Sequence, residues 1–131
     1  MVKYMTDDWA KEYCKTLNSS EAYAKAGETW EGDFIFEIKF EDGSTRQLYM
    51  DLWHGKCRKA YQIKDEDITP EFTMSGPYEN WVQVAKKELD PIRGMLQGKF
   101  KLQGDMAKIM RATKAAVEMV NCIMLVPDTE L

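Results

Sequence analysis

The sequence has little of what metal-binding proteins need. His54 is the only histidine among the 131 residues, and the three cysteines, Cys14, Cys57 and Cys122, lie far apart. A metal site needs three or four converging ligands. Asp51 lies three residues before His54, and one carboxylate does not complete a site. We therefore expect no bound metal and interpret His54 as a turn residue in contact with water.

The sequence also lacks the common catalytic motifs. It contains no Gly-x-Ser-x-Gly elbow, no cysteine–histidine motif that suggests nucleophilic catalysis and no glycine-rich phosphate loop. The two Gly-Lys pairs, Gly55-Lys56 and Gly98-Lys99, stand without the rest of such a loop. Glu37 and Asp51 fall on the polar face of predicted strands, where solvated charge is expected. These gaps predict a binding protein that is not an enzyme and uses no cofactor.

Long apolar runs and an excess of positive charge are missing as well. The longest uninterrupted apolar run, residues 122–126, is too short to cross a bilayer, and the N-terminus has no apolar segment of the secretory kind. The net charge is −4, which offers nucleic acid or an anionic membrane no obvious attraction. An odd number of distant cysteines is typical of reduced thiols. We expect a cytoplasmic protein that neither binds nucleic acid nor inserts into a membrane.

Methionine, by contrast, is abundant, with nine residues in the chain. Its flexible side chain fills gaps in a core and also lines cavities that adapt to varied shapes. Both interpretations stay open at this point. The length predicts one domain that spans residues 1–131.

The N-terminal third predicts two helices. Thr6 can cap a helix that runs to about Leu17 with one apolar stripe. Residues 18–21 have the spacing of a capping box in which Asn18 is the cap. This box predicts a short second helix that ends at Gly27.

Strict alternation predicts a hairpin of two long strands. Residues 30–40 and 45–53 both place apolar side chains at even positions, with a turn signal at Asp42-Gly43. If both sets face one core, the numbers of paired residues must sum to an even value. We predict a three-residue loop, Asp42-Gly43-Ser44, because a two-residue loop breaks that parity. The resulting partners are Ile38–Leu48, Phe36–Met50 and Phe34–Leu52.

Shorter elements follow this hairpin. A tight turn at residues 54–56 leads to a strand at about 57–63, and an exposed acidic connection covers 65–67. A fourth strand is predicted at 71–76, with Phe72 and Met74 facing inward. The next helix carries Tyr78, Trp81, Val82 and Ala85 at helical spacing.

Residues 89–105 carry the densest local signals. Asp90-Pro91 fits the cap and the first position of a helix, and Gly98 can end that helix in a left-handed conformation. Residues 99–103 alternate between polar and apolar, which predicts a strand. Gly104-Asp105 can then turn the chain and cap the next helix.

The last segment, residues 106–126, is predicted to form a helix whose apolar stripe is broader than one packed face needs. Its members are Met106, Ile109, Met110, Thr113, Val117, Val120 and Met124, widened by Ala116, Met119 and Ile123. This breadth fits a cavity wall and a second packing surface, such as a dimer seam, equally well.

The order of these features resembles the sterol carrier protein type-two family. Its members carry a Leu-Asp-Pro helix, a Gly-Lys-aliphatic-Lys-aliphatic strand and a Gly-Asp turn, which correspond here to residues 89–91, 98–102 and 104–105. Asp67-Ile68-Thr69 resembles the family's approach to a strand that precedes a helix. The resemblance implies an α+β fold with a five-stranded, mostly antiparallel sheet. Helices cover one face of that sheet, and an apolar tunnel lies between. It also implies lipid binding without chemistry on the lipid.

We therefore expect intracellular binding or transfer of a fatty acid, a fatty acyl-CoA or a sterol-like lipid. The alternative is a protein-interaction module accessory to an enzyme, whose C-terminal helix either forms a homodimer or docks on that enzyme. The predicted lipid-binding residues are Phe36, Ile38, Met50, Trp81, Met95, Leu96, Phe100, Met106, Ile109, Met110, Val117 and Val120. Phe34, Leu48, Leu52 and Leu102 complete the predicted floor on the sheet.

Overall fold

A computed structural model describes the backbone of all 131 residues and every side chain except those of Pro91 and Ile92. The strands are β1 (Val2–Lys3), β2 (Glu31–Lys39), β3 (Thr45–Trp53), β4 (Lys56–Gln62), β5 (Phe72–Pro77), β6 (Lys101–Gln103) and β7 (Thr129–Glu130). The helices are α1 (Asp7–Ser19), α2 (Glu21–Ala26), α3 (Tyr78–Ala85), α4 (Pro91–Leu96), α5 (Met106–Arg111) and α6 (Thr113–Asn121). A 3-10 helix (Cys122–Leu125) follows α6.

Five of these strands form one sheet in the order β4-β3-β2-β5-β6. Every neighbouring pair is antiparallel except β2 and β5, which run parallel. The predicted α+β architecture with a mostly antiparallel five-stranded sheet is therefore confirmed. β1 and β7 form a separate parallel pair that joins the two ends of the chain, and two-residue strands are too short to leave a periodic signal in the sequence.

The β2–β3 hairpin has the predicted loop length but a different register. The Phe40 N–H donates to the Ser44 carbonyl at 2.9 Å, so the loop consists of residues 41–43. Gly43 ends the loop with a φ of 88°, a left-handed value that glycine adopts readily and that completes the usual three-residue hairpin. The predicted loop instead ended at Ser44, and that placement was wrong.

The shift of the loop moves every cross-strand partner by two residues. The observed partners are Phe34–Met50, Phe36–Leu48 and Ile38–Arg46, whereas Leu52 lies opposite Gly32. The predicted partners Phe34–Leu52, Phe36–Met50 and Ile38–Leu48 were therefore wrong. The even sum was correct, because a shift of two residues keeps both apolar sets on one face.

Two other local predictions need correction. Ser20 caps α2, since its hydroxyl accepts from the Tyr23 N–H at 3.0 Å. Asn18, the predicted cap, instead bonds the backbone of Cys57 with both ends of its amide, at 2.8 Å and 2.9 Å. Its side chain thereby joins α1 to β4 rather than starting a helix.

The C-terminal segment is not one helix. It breaks at Ala112, whose φ and ψ are −117° and 35°. The Ala112 N–H bonds to the Ile109 carbonyl, and the Thr113 hydroxyl donates to the Met110 carbonyl at 2.7 Å. Threonine competes for backbone carbonyls in this way, and here its hydroxyl satisfies one of the carbonyls at the end of α5.

Candidate functional site

An apolar cavity of about 440 Å³ lies between the sheet and the helices α4, α5 and α6. Its volume falls in the range of roughly 300–1,000 Å³ that is common for small-molecule sites. The lining residues are Phe34, Met74, Met95, Leu96, Phe100, Leu102, Met106, Ile109, Met110, Thr113, Ala116, Met119 and Val120. Strands supply the floor, and short helices supply the walls and the roof.

The register of the sheet explains how distant residues share this floor. Met74 on β5 pairs with Phe36 on one side and with Leu102 on the other, and Phe34 lies two residues from Phe36. Because side chains alternate across a strand, these even positions all face the helices. Phe34, Met74 and Leu102 were predicted to face inward, and the register of the sheet brings their side chains together on the floor of the cavity.

Phe100 closes one end of the cavity. Its ring lies 4.8 Å from the Trp81 ring, and it packs against two glycines. A Cβ atom on Gly76 would lie 2.6 Å from the Phe100 ring, and one on Gly94 would lie 3.0 Å from it. The absence of side chains at these two positions is what lets the ring fit so deeply.

The other end opens to solvent through an apolar rim. Leu96, Met106 and Met110 are 84%, 49% and 72% exposed, although each also lines the cavity. Clustered exposed apolar side chains of this size mark places where a ligand or a partner covers them.

The lining offers almost no polar chemistry. Among the lining residues described, Thr113 alone carries a polar side-chain group, and its hydroxyl already donates to the Met110 carbonyl. No acid, base or nucleophile reaches the cavity from these residues. Such a surface binds hydrocarbon by removing it from water, at about 25 cal/mol per Å².

Seven of the twelve residues predicted to bind lipid line this cavity. They are Met95, Leu96, Phe100, Met106, Ile109, Met110 and Val120. Phe36, Ile38, Met50 and Trp81 do not, and Val117 is half-buried on α6 outside the lining. Strand periodicity marks the correct face of the sheet but carries no signal for which helix covers which part.

The four core residues outside the cavity lie in a tightly packed region. Phe36 contacts the Tyr13 ring of α1 at 5.8 Å and the Trp81 ring of α3 at 5.0 Å. Aromatic side chains fill the space above this part of the sheet. The other residues that line the cavity are Phe34, Met74, Leu102, Thr113, Ala116 and Met119, all of which the apolar pattern had marked as inward or on the C-terminal stripe.

A second cavity of about 550 Å³, which we call the vestibule, adjoins the apolar rim. Its lining residues are Ala26, Thr29, Trp30, Glu31, Lys108, Met110, Arg111, Ala112, Thr113 and Lys114. Met110 and Thr113 line both spaces. The two cavities are therefore neighbours, one apolar and one partly charged.

The cysteines and His54 lie outside both cavities. Hydrogen bonding with Cys57 lowers the pKa of Cys14, and the same bond together with burial raises the pKa of Cys57. His54 is 47% exposed in its turn and lies 2.6 Å from Glu31. Within the described part of the chain, no group of three or more His, Cys, Asp or Glu residues could hold a metal ion.

The length and apolar character of the helices bear on whether one of them could cross a membrane. Across the residues that the structure describes, none of the helices is both long and apolar enough to cross a bilayer. The longest helix, α1, has 13 residues and a largely polar outer face.

Comparisons with known proteins agree on a family. The model of the SCP-2 sterol transfer family matches residues 10–116. A crystal structure of sterol carrier protein 2 is similar with a TM-score of 0.84 and 31% identity, covering 92% of this chain and 97% of the other. A solution structure from Thermus thermophilus, described as possibly sterol carrier protein, has a TM-score of 0.80 and 31% identity, with 92% and 87% covered.

A more distant likeness extends the fold to a ligand complex. The sterol carrier protein 2 from Aedes aegypti, solved in complex with palmitate, has a TM-score of 0.58 and 17% identity. The alignment covers 88% of this chain and 93% of that one, and at this identity it shows a shared fold. No curated protein sequence is significantly similar to the chain.

Proposed function

Because the chain belongs to the SCP-2 sterol transfer family, we propose that it is an intracellular lipid carrier that holds a single acyl chain in the apolar cavity. The observation that carries this proposal is the cavity of about 440 Å³, lined almost wholly by apolar side chains and open at an apolar rim. Three free cysteines fit a reducing compartment.

Shape and chemistry both favour a flexible chain. Met95, Met106, Met110 and Met119 contribute four lining side chains that can repack around varied shapes. A related fold holds palmitate in the Aedes aegypti protein. A fatty acid or a fatty acyl ester therefore fits this site better than a rigid ring system does.

The carrier does no chemistry on its ligand. Among the described lining residues, the one hydroxyl is that of Thr113, which donates to the Met110 carbonyl, and none of the others is an acid or a base that could activate it. Catalysis of acyl transfer needs such a group within hydrogen-bond reach of the reacting atom.

The direct test is a binding titration with saturated fatty acids of increasing length. Each added methylene is worth about 0.8 kcal/mol, so affinity should rise about fourfold per carbon until the cavity is full. Long chains should bind at micromolar levels or tighter, about −8 kcal/mol. An affinity that does not depend on chain length would contradict the proposal.

Ala116→Trp provides the site-specific control. Ala116 lines the cavity from α6, so an indole at this position should fill the space and weaken long-chain binding more than tenfold.

An acyl thioester incubated with the wild-type protein should be recovered intact. Release of several equivalents of free thiol per protein, above a buffer control, would show that the protein is an enzyme.

The exposed rim favours a second candidate, an interaction module. Leu96 and Met110 are more than two-thirds exposed and could pack against a second copy or another protein. Sedimentation across a range of concentrations distinguishes the two candidates. A concentration-dependent dimer that Met110→Ser dissolves, together with no lipid binding, would favour the interaction module.

A further inference from the structure

The vestibule adjoins the cavity at the rim, where a bound chain would emerge. Met110 and Thr113 lie on both sides of the break between α5 and α6, and they line both spaces. An amphiphile whose chain fills the cavity would therefore place its polar end in the vestibule.

The vestibule carries more positive than negative charge. Lys108, Arg111 and Lys114 line it, against one carboxylate, Glu31. The carboxylate of Glu31 lies 2.6 Å from His54 and is engaged there. This local excess of positive charge stands out in a chain whose net charge is −4.

The three cations of the vestibule differ in the partners that they already have within the protein. The Lys108 ammonium donates to the Glu71 carboxylate at 2.7 Å and to the Glu31 carbonyl at 2.5 Å, and it lies 5.0 Å from the centre of the Trp30 ring. Arg111 and Lys114 are exposed, and among the described residues neither has a carboxylate within ion-pair distance. Arg111 and Lys114 are therefore the two cations that are free to bind a ligand.

The chain places these residues together for a local reason. Lys108 and Arg111 are three residues apart on α5, so they share one face of that helix. Lys114 is the second residue of α6, on the far side of Ala112. Like charges that line one space repel one another, and an anion between them would relieve that repulsion.

From these observations we infer that the vestibule binds the anionic head group of the lipid, a carboxylate or a phosphate, through Arg111 and Lys114. The inference rests on the proposed function, because it needs a chain in the neighbouring cavity. The vestibule is larger than a carboxylate requires, so a bulkier phosphate-bearing head group fits the same space.

The experiment compares amphiphiles that differ only in the head group. Calorimetric titrations of the full chain with tridecanoate, dodecyl phosphate and dodecanol keep the same twelve-carbon alkyl chain. Both anions should bind about threefold to tenfold more tightly than the alcohol, the gain expected from two exposed charge contacts. High salt should reduce that advantage because it screens exposed charges.

Two double variants then locate the effect. Arg111→Gln with Lys114→Gln should remove the advantage of the anions and leave the affinity for dodecanol unchanged. Lys39→Gln with Lys86→Gln changes the net charge equally, at exposed lysines outside the vestibule, and should leave the advantage intact. Inorganic phosphate alone should bind far more weakly than dodecyl phosphate.

Each other outcome has a definite meaning. Equal affinity for the acid and the alcohol in the wild type would overturn the head-group site and leave the carrier function standing. An equal loss in both double variants would attribute the effect to net charge and overturn the site as well. Phosphate that binds as tightly as dodecyl phosphate would indicate a free-anion site unconnected to lipid. If none of the three amphiphiles binds, the carrier function itself fails.

Discussion

One sheet face carries two regions of opposite character. Beneath α1 and α3, in the region that we call the packed half, the rings of Trp9 and Tyr13 stack with their centroids 5.1 Å apart, and the Tyr13 ring also contacts that of Phe36. Beneath α4, α5 and α6, in the region that we call the cavity half, about 440 Å³ stays unfilled. The strands below present equally apolar residues, so the floor does not explain the difference.

The helices above the sheet explain it. All fifteen aromatic residues lie within positions 1–100, and none follows Phe100. α1 and α3 bring Trp9, Tyr13 and Trp81 into contact with the sheet. α5 and α6 line the cavity with aliphatic side chains, methionine and one threonine, Thr113, and the break at Ala112 interrupts them. Planar rings fill the space over one half, whereas the roof of the other half carries no ring and leaves room for a ligand.

The largest expected contrast is in the loss of stability when one side chain is truncated in each half. Trp81 is fully buried and contacts Phe36 at 5.0 Å, so Trp81→Ala should reduce the free energy of unfolding by about 3–5 kcal/mol. Met110→Ala removes a side chain that is 72% exposed and should change the free energy of unfolding by less than about 0.5 kcal/mol. Urea denaturation of both variants measures the contrast, and similar losses would mean that the two halves are packed alike.

The second contrast adds volume instead of removing it. Ala10 on α1 is fully buried in the packed half, and Ala10→Trp should cost about 3 kcal/mol, the upper end for overpacked cores. Ala116→Trp places the same ring over empty space and should cost less than about 1 kcal/mol. Thermal denaturation of the matched pair measures both. A large loss at Ala116 would show that the cavity closes in solution.

The smallest effect concerns the bond that joins the two halves. The Tyr13 hydroxyl donates to the Met119 carbonyl at 2.5 Å, and Met119 lines the cavity. Tyr13→Phe should cost about 1 kcal/mol near neutral pH, the usual value for one hydrogen bond. Denaturation near pH 7 measures this loss, and no loss would mean that the bond does not stabilise the fold.

The same variant has a distinct pH signature. Burial raises the pKa of Tyr13 well above its ordinary value of 10.0. The unfolded chain therefore ionises first, so the contribution of Tyr13 is complete below that value and is lost as the pH rises above it. Tyr13→Phe should flatten the decline in stability between about pH 9 and pH 11. Burial raises the pKa of Tyr4 and Tyr23 as well, so part of the decline should remain.

Local signals in the sequence predicted most elements well. Thr6 and Asp105 cap the helices α1 and α5 as expected, because a short polar side chain satisfies free N–H groups wherever a helix starts. Gly98 adopts the left-handed conformation predicted for it, with a φ of 77°. The strands β2 and β3 follow the alternation of their residues almost residue by residue.

Features that depend on distant contacts were not predictable in the same way. The hairpin register follows from which residue ends the loop, and parity alone allowed both Gly43 and Ser44. The pairing of β1 with β7 joins the two ends of the chain through two residues each. The predicted lipid-binding set combined both halves of the sheet because Phe36 and Phe34 carry the same periodic signal.

Most of the helices and strands, and the apolar face of the sheet, follow from local patterns in the sequence. These properties come from backbone preferences and from the alternation of side chains, and both act over a few residues. The filling of one half by α1 and α3, and the space that α5 and α6 leave in the other, depend on how distant parts of the chain pack together. The reason is physical: the volume above a sheet depends on the sum of side chains that distant helices bring to it, and no local pattern records that sum.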